Sequence, residues 1–124
     1  MAVVYEVNID VHPALFPRYL AWLRPHAAAM HGQIHGLLDA RIAQRGDVPA
    51  PADYRPAAGE AAAPATWKGL TAAYLCPSQA ALDDYLTHRA AANRGDALKV
   101  FGSFDQLRFQ RRVLTHVEVL PKPE

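Results

Sequence analysis

The chain opens on alternation. Val3, Tyr5, Val7 and Ile9 alternate with Val4, Glu6 and Asn8, and the β-branched content predicts a half-buried strand. A helical period follows, starting at Pro13 or Pro17 and running to His31. Its apolar positions Leu15, Tyr19, Trp22, Leu23, Ala27 and Met30 recur every three or four residues. Proline suits a first helical turn, where the missing N–H costs nothing. Pro25 falls in the interior, which predicts a kink or break near Arg24 and an end near Gly32. Gly36 introduces a second strand, Leu37 to Gln44, and Trp67 to Cys76 reads as a third, with Leu70, Ala72 and Tyr74 on one face. Ser78 is a good N-cap for a second helix carrying Leu82, Tyr85 and Leu86. That pattern fades by Gly95, and a further helical turn is expected over Asp96 to Phe101. Leu107 to Leu120 reads as a long last strand.

Between the second and third strands, residues 46–66 hold four prolines and, Val48 and Tyr54 apart, no large apolar side chain. Such a segment buries too little surface to offset its ordering entropy and is expected to be a flexible Ala/Pro-rich loop. An insertion is favoured over a functional lid, because runs of Pro and Ala carry no chemistry.

The order of elements is β-α-β followed by β-α-β. It predicts an α+β, ferredoxin-like domain over residues 1–124: a four-stranded antiparallel sheet with two helices on one face. Tyr5, Val7, Leu38, Ile42, Leu70, Tyr74 and Val113 should meet the helices. Glu6, Asn8, Asp39, Arg41, Thr71, Gln110 and Arg112, mixed with Val4, Leu37, Ala73, Leu75 and Leu114, should form the other face. That face is apolar enough for a second subunit to cover it, so a homodimer formed sheet to sheet is expected.

Composition narrows the function classes. The 124 residues are 51% hydrophobic and 20% charged, the make-up of one ordinary globular domain. Thirteen basic against twelve acidic side chains leave a formal net charge of +1, which argues against a nucleic-acid binder. The one cysteine, Cys76, rules out an intrachain disulfide and favours a reducing compartment. The first residues lack the pattern of a signal peptide, and no uncharged apolar run approaches the roughly 20 residues of a membrane span. A cytoplasmic protein with no membrane partner is the expectation.

Several segments together resemble a known family. They are Tyr5-Glu6-Val7-Asn8, Ala21-Trp22-Leu23-Arg24-Pro25-His26, Gly36 with Ala40-Arg41-Ile42, Trp67, Ala81-Leu82-Asp83-Asp84-Tyr85-Leu86, Phe101-Gly102 and Arg111-Arg112-Val113-Leu114. Their order and spacing are similar to the small bacterial proteins grouped as domain of unknown function 4286, in the dimeric α+β-barrel superfamily. The match spans all but the Ala/Pro loop and the tail. It departs in the second helix, where His88 stands one place before the family's histidine position, and at His31 to His35. The resemblance implies a dimeric α+β barrel and no particular reaction. The wider superfamily includes cofactor-independent monooxygenases, haem-degrading enzymes, small-ring isomerases and ligand-sensing domains, and fold alone does not choose among them.

Six histidines are many for this length. His31 and His35 are four apart, but Gly32 and Gly36 end the helix, and with neither HExxH nor a cysteine pair no metal site is expected. Exposed helix-end histidines that complement the dipole account for them more simply. His26 follows Trp22 by one turn, so the two share the side toward the sheet. With Tyr85, and with Tyr74 from the third strand, they are expected to line a small pocket between helices and sheet, His26 being the candidate general base or axial haem ligand. A hydrogen-bonded histidine at the core edge is the plainer alternative. Arg41 and Arg112, with Glu6 and Asn8, are placed to hold an anion on the second face, or simply to pair with one another. Cys76 is expected to be a buried small hydrophobe, and no GxGxxG, P-loop or GxSxG is present.

Two readings therefore stand. One is a noncatalytic ligand-binding or accessory domain, without a cofactor. The alternative is a cofactor-independent, monooxygenase-like enzyme acting on a small aromatic or polyketide-like substrate. A filled helix–sheet core favours the first, and an apolar pocket with a convergent histidine favours the second.

Overall fold

In the computed structural model, which describes residues 1–124, four strands form one antiparallel sheet. They are β1 (Val3–Val11), β2 (Asp39–Pro49), β3 (Thr66–Cys76) and β4 (Leu107–Leu114), and the sheet order is β2-β3-β1-β4. Helices α1 (Phe16–Ala29), α2 (Gln79–His88) and α3 (Ala90–Phe101) complete an α+β fold consistent with a ferredoxin-like arrangement. Strand alternation puts Val3, Tyr5, Ile9 and Val11 on one face of β1 and Leu70, Ala72, Tyr74 and Cys76 on the same face of β3, all buried. Two apolar clusters join this face to the helices. The first contains Tyr5, Tyr74, Met30, Leu82 and Tyr85; the second contains Ile9, Leu70, Tyr19, Leu23 and Leu107.

Several expectations need correction. Pro25 does not break α1, which continues to Ala29 and then tightens into a 3-10 turn at Met30–Gly32. The N–H missing at Pro25 deprives only the carbonyl one turn back, at Ala21, and Ala21 is exposed, so water serves it. A third helix replaces the expected short turn. Only Arg89 separates α2 from α3, whose buried positions are the small Ala90 and Ala97, too small to produce a strong apolar period. Gly102, at φ 76°, ends it. Ser78 caps α2 as expected, accepting the Ala81 N–H at 3.1 Å.

Strand β2 begins two residues late and runs to Pro49, because Val48 and Pro49 pair with Trp67 and Thr66 across a register shift after Arg45. The connecting segment is therefore 50–65. Leu38, expected in the core, is 59% exposed, whereas Leu37, expected on the other face, packs against the first cluster. Strand β4 stops at Leu114 instead of Leu120, since Leu114 already pairs with Val4 and β1 offers only one residue more.

The face away from the helices carries Glu6, Asn8 and Asp10 of β1, Arg108 and Arg112 of β4, and Thr71 and Ala73 of β3. The 50–65 segment folds over one end of it. Tyr54 and Glu60 reach His12 and Trp67 there: the His12 and Tyr54 rings lie 5.4 Å apart, and those of Tyr54 and Trp67 5.2 Å. Trp67 and His12 are buried by this contact. Arg45 lies across Gly69, where its guanidinium donates to Asp10 Oδ1 at 2.8 Å and to the Ile9 carbonyl at 3.0 Å. A Cβ at Gly69 would stand 3.0 Å from Arg45 Cζ and 3.1 Å from the Gly46 carbonyl oxygen, so only glycine leaves room for that guanidinium.

Candidate functional site

Where α1 and α3 pass over the sheet they leave a cavity of about 240 Å³. The spacing of α1 sets one wall. Tyr19, Leu23 and, at the helix C-cap, Met30 point inward at four- and seven-residue intervals, and Trp22 and His26 sit beside them one turn apart. Strands β1 and β3 supply the floor through Tyr5 and Tyr74, and α3 supplies the small Ala90 and Ala97. Because those alanines reach so little, the helix does not fill the space above the sheet. Arg94 of α3 and Arg111 of β4 also line the cavity; both are exposed, so they mark its mouth.

Four of the five tyrosines converge here. The Tyr85 hydroxyl accepts from Asn93 Nδ2 at 2.9 Å, and the remaining tyrosine hydrogen bonds belong to Tyr54 on the opposite face. The hydroxyls of Tyr5, Tyr19 and Tyr74 thus have no partner in the chain, although the residues are at most 4% exposed. Trp67 Nε1 is the one sealed side-chain polar atom without a partner, so these three hydroxyls are not sealed, and all three tyrosines line the cavity. Burial raises the pKa of Tyr19 and Tyr74, and that of Tyr85 despite the Asn93 hydrogen bond. The hydroxyls therefore stay protonated and present O–H donors to anything bound.

His26 stacks on Trp22, with ring centroids 4.5 Å apart and planes 17° from parallel. Ring-nitrogen hydrogen bonds occur at His12 and His116 and not at His26. Desolvation lowers the His26 pKa, against a weaker upward pull from Asp96, so the ring is neutral at pH 7 and keeps a free lone pair at the cavity wall.

Of the residues singled out from the sequence, Trp22, His26, Tyr74 and Tyr85 come together around this cavity. Arg41 does not: it is an exposed residue of edge strand β2, ion-paired with Asp39. Its expected companions on the open face also pair among themselves. Arg112 Nε donates to Glu6 Oε1 at 2.9 Å, Asn8 donates to the same oxygen at 3.1 Å, and Thr71 donates to Asn8 at 2.7 Å. Arg112 and Asn8 hold the Glu6 carboxyl below its usual range. In a polar depression nearby, between Asp10, Arg45 and Arg108, Arg45 pairs with Asp10 and Arg108 with Asp53 of the 50–65 segment. No three His, Cys, Asp or Glu side chains gather to hold a metal ion, and no helix is long and apolar enough to cross a membrane.

Sequence reasoning missed Tyr5 and Tyr19 as polar groups, taking them for core alone. The signal was available in the use of tyrosine, with its polar handle, at four core positions. Arg94 and Arg111 carried no signal, because only the fold brings them together. His12 was also missed. Its Nδ1 accepts the Ala14 N–H at 3.0 Å, so Nε2 carries the proton that meets Glu60 Oε2 at 2.6 Å. Both nitrogens are engaged, which makes His12 an anchor for the 50–65 segment and leaves it no lone pair for proton transfer. Comparison with family models, curated proteins and solved structures returns no match.

Proposed function

We propose that this protein binds a small, largely apolar organic molecule in the cavity between its helices and sheet. The helix–sheet core is not filled, so the feature expected of a purely accessory domain is missing, and ligand binding is the reading that holds with or without catalysis. One observation carries the reading: a void of about 240 Å³ is lined by three buried tyrosines whose hydroxyls have no partner in the chain. A space lined by hydrophobes with a few convergent polar groups is the usual make-up of a small-molecule site. Native mass spectrometry of the purified protein, followed by denaturation of the same sample, tests it. Retention of a small organic component that denaturation releases supports the reading. A bare protein that also takes up none of a panel of soluble bicyclic aromatics overturns it.

A second reading is favoured by His26, neutral, stacked and unpartnered at the cavity wall. A base in that state accepts a proton from an acidic C–H or O–H of a bound aromatic. The resulting electron-rich anion is the species that a cofactor-independent monooxygenase-like enzyme would present to dioxygen. Under this reading His26→Gln keeps ligand affinity and abolishes oxygen uptake; equal oxygen uptake by both proteins removes it.

The same mass measurement bears on assembly. The open sheet face offers Val4, Ala73, Leu75 and Leu114 between its ion pairs, beyond the end covered by residues 50–65. A second copy seated there makes a dimeric α+β barrel, and Ala73→Arg then yields monomers. A wild-type monomer at micromolar concentration rejects that arrangement.

A further inference from the structure

The cavity's lining is electrostatically one-sided, and this specifies the occupant further. No carboxylate lines it, whereas two guanidinium groups do. Arg111 rests against Phe109, its Cζ 5.2 Å from the ring centroid, and neither Arg111 nor Arg94 has an ion-pair or hydrogen-bond partner in the chain. Six of the ten arginines are partnered, Arg41, Arg45, Arg108 and Arg112 by carboxylates and Arg18 and Arg89 by backbone carbonyls; of the four that are not, Arg94 and Arg111 line the cavity and Arg24 and Arg55 do not. Exposed arginines at the mouth, buried hydroxyls at the floor and aromatic walls between them describe a molecule with an anionic end, an apolar middle and an oxygen at the far end.

Size limits the middle. A cavity of about 150 Å³ accepts benzene, so one of about 240 Å³ accommodates roughly ten ring atoms, a fused bicycle. Taking the cavity as the binding site, we infer that its ligand is an oxygenated bicyclic aromatic carboxylate. Its rings lie among Trp22, His26 and the tyrosines, its ring oxygen accepts from a buried tyrosine hydroxyl, and its carboxylate sits at the mouth between Arg94 and Arg111. Guanidinium suits that end because it offers a planar donor fork to a planar carboxylate.

Three soluble probes separate the parts: 2-naphthol, 2-naphthoate and 6-hydroxy-2-naphthoate, titrated by calorimetry at pH 7 into the full chain. The expected order of affinity places 6-hydroxy-2-naphthoate first. Arg111→Gln and Arg94→Gln, both on exposed positions, each weaken the two carboxylates about tenfold and leave 2-naphthol unchanged. Tyr74→Phe weakens the two hydroxylated probes and leaves 2-naphthoate unchanged. Should 2-naphthol bind as tightly as the carboxylates, and the arginine variants alter nothing, the anionic assignment is overturned while the cavity remains a binding site. If no probe binds, the assignment and the site fall together. Circular dichroism of each variant confirms that a lost affinity is not a lost fold.

Discussion

Ala97→Leu turns the cavity into a measurable stability. Ala97 is buried on α3 and lines the void, and leucine adds three carbons. Fully buried, they contribute about 2.4 kcal/mol of transfer free energy. Ordering the leucine side chain costs about 0.5–1 kcal/mol, leaving a net gain of about 1.5 kcal/mol. Helix propensity changes little, since leucine ranks just below alanine. With an unfolding entropy near 2.1 cal/mol/K per residue, a gain of that size raises the Tm of a 124-residue chain by about 6 °C. In a filled core the sign reverses: the same leucine overpacks it and costs about 1–3 kcal/mol. Differential scanning calorimetry of both proteins without ligand decides. A Tm lowered by several degrees in a variant with native far-UV circular dichroism refutes the cavity and everything built upon it. A raised Tm accompanied by loss of 6-hydroxy-2-naphthoate binding places leucine and ligand in one space.

Three other outcomes follow from geometry. Gly69→Ala pushes a methyl group into Arg45 and the Gly46 carbonyl, so it should destabilise by about 1–3 kcal/mol in urea unfolding, and an unchanged midpoint rejects the close approach. Glu60→Ala removes the acceptor of both His12 Nε2–H and the Tyr54 hydroxyl, at 2.6 and 2.9 Å, which should cost about 2 kcal/mol and speed hydrogen exchange across residues 50–65; unchanged exchange there contradicts the anchoring. His26 has a folded pKa below its ordinary 6.5, so the unfolded chain binds the proton more readily, and stability should decline as pH falls below about 6.5 and level off beneath the lowered folded value. His26→Gln should flatten that part of the stability–pH curve, and identical curves for the two proteins rule out a desolvated His26.

Legibility differed between elements for physical reasons. Val3 to Ile9 announced itself because β1 lies in the middle of the sheet with one face on the helices, so burial alternates with sequence. Strand β2 is an edge, and no residue of it is fully buried. Its second half exists because β3 continues to Thr66 and supplies hydrogen-bond partners, a pairing that no local preference reveals. Helix α3 hid behind small residues and Gly95. The Ala/Pro segment read as featureless because Tyr54 and Glu60 acquire meaning only against His12 and Trp67, some fifty residues away in one case. In the candidate site, Trp22 and His26 could be paired by helical spacing, whereas the arginines at the mouth come from α3 and β4 and meet only in the fold.

The void itself argues for use. Were it dry, its lining would forgo roughly 24 cal/mol for each Å³, about 6 kcal/mol in all, comparable with the whole stability of a small domain. Hydroxyls and an open mouth admit water and reduce that figure, but water is also what a ligand displaces. Ala72, Ala90 and Ala97 stand on the cavity wall where one or two larger aliphatic residues would close it, a change open to single substitutions. Phenylalanine at Tyr5, Tyr19 or Tyr74 would likewise keep the ring packing and shed an unpartnered hydroxyl. Small walls alone are a packing fault, and buried hydroxyls alone normally find partners within the chain. Here both occupy the same space, beside an uncharged histidine and below two unpaired arginines. Under the proposed function, ligand binding is the reason for a sequence to keep those features together at one cavity.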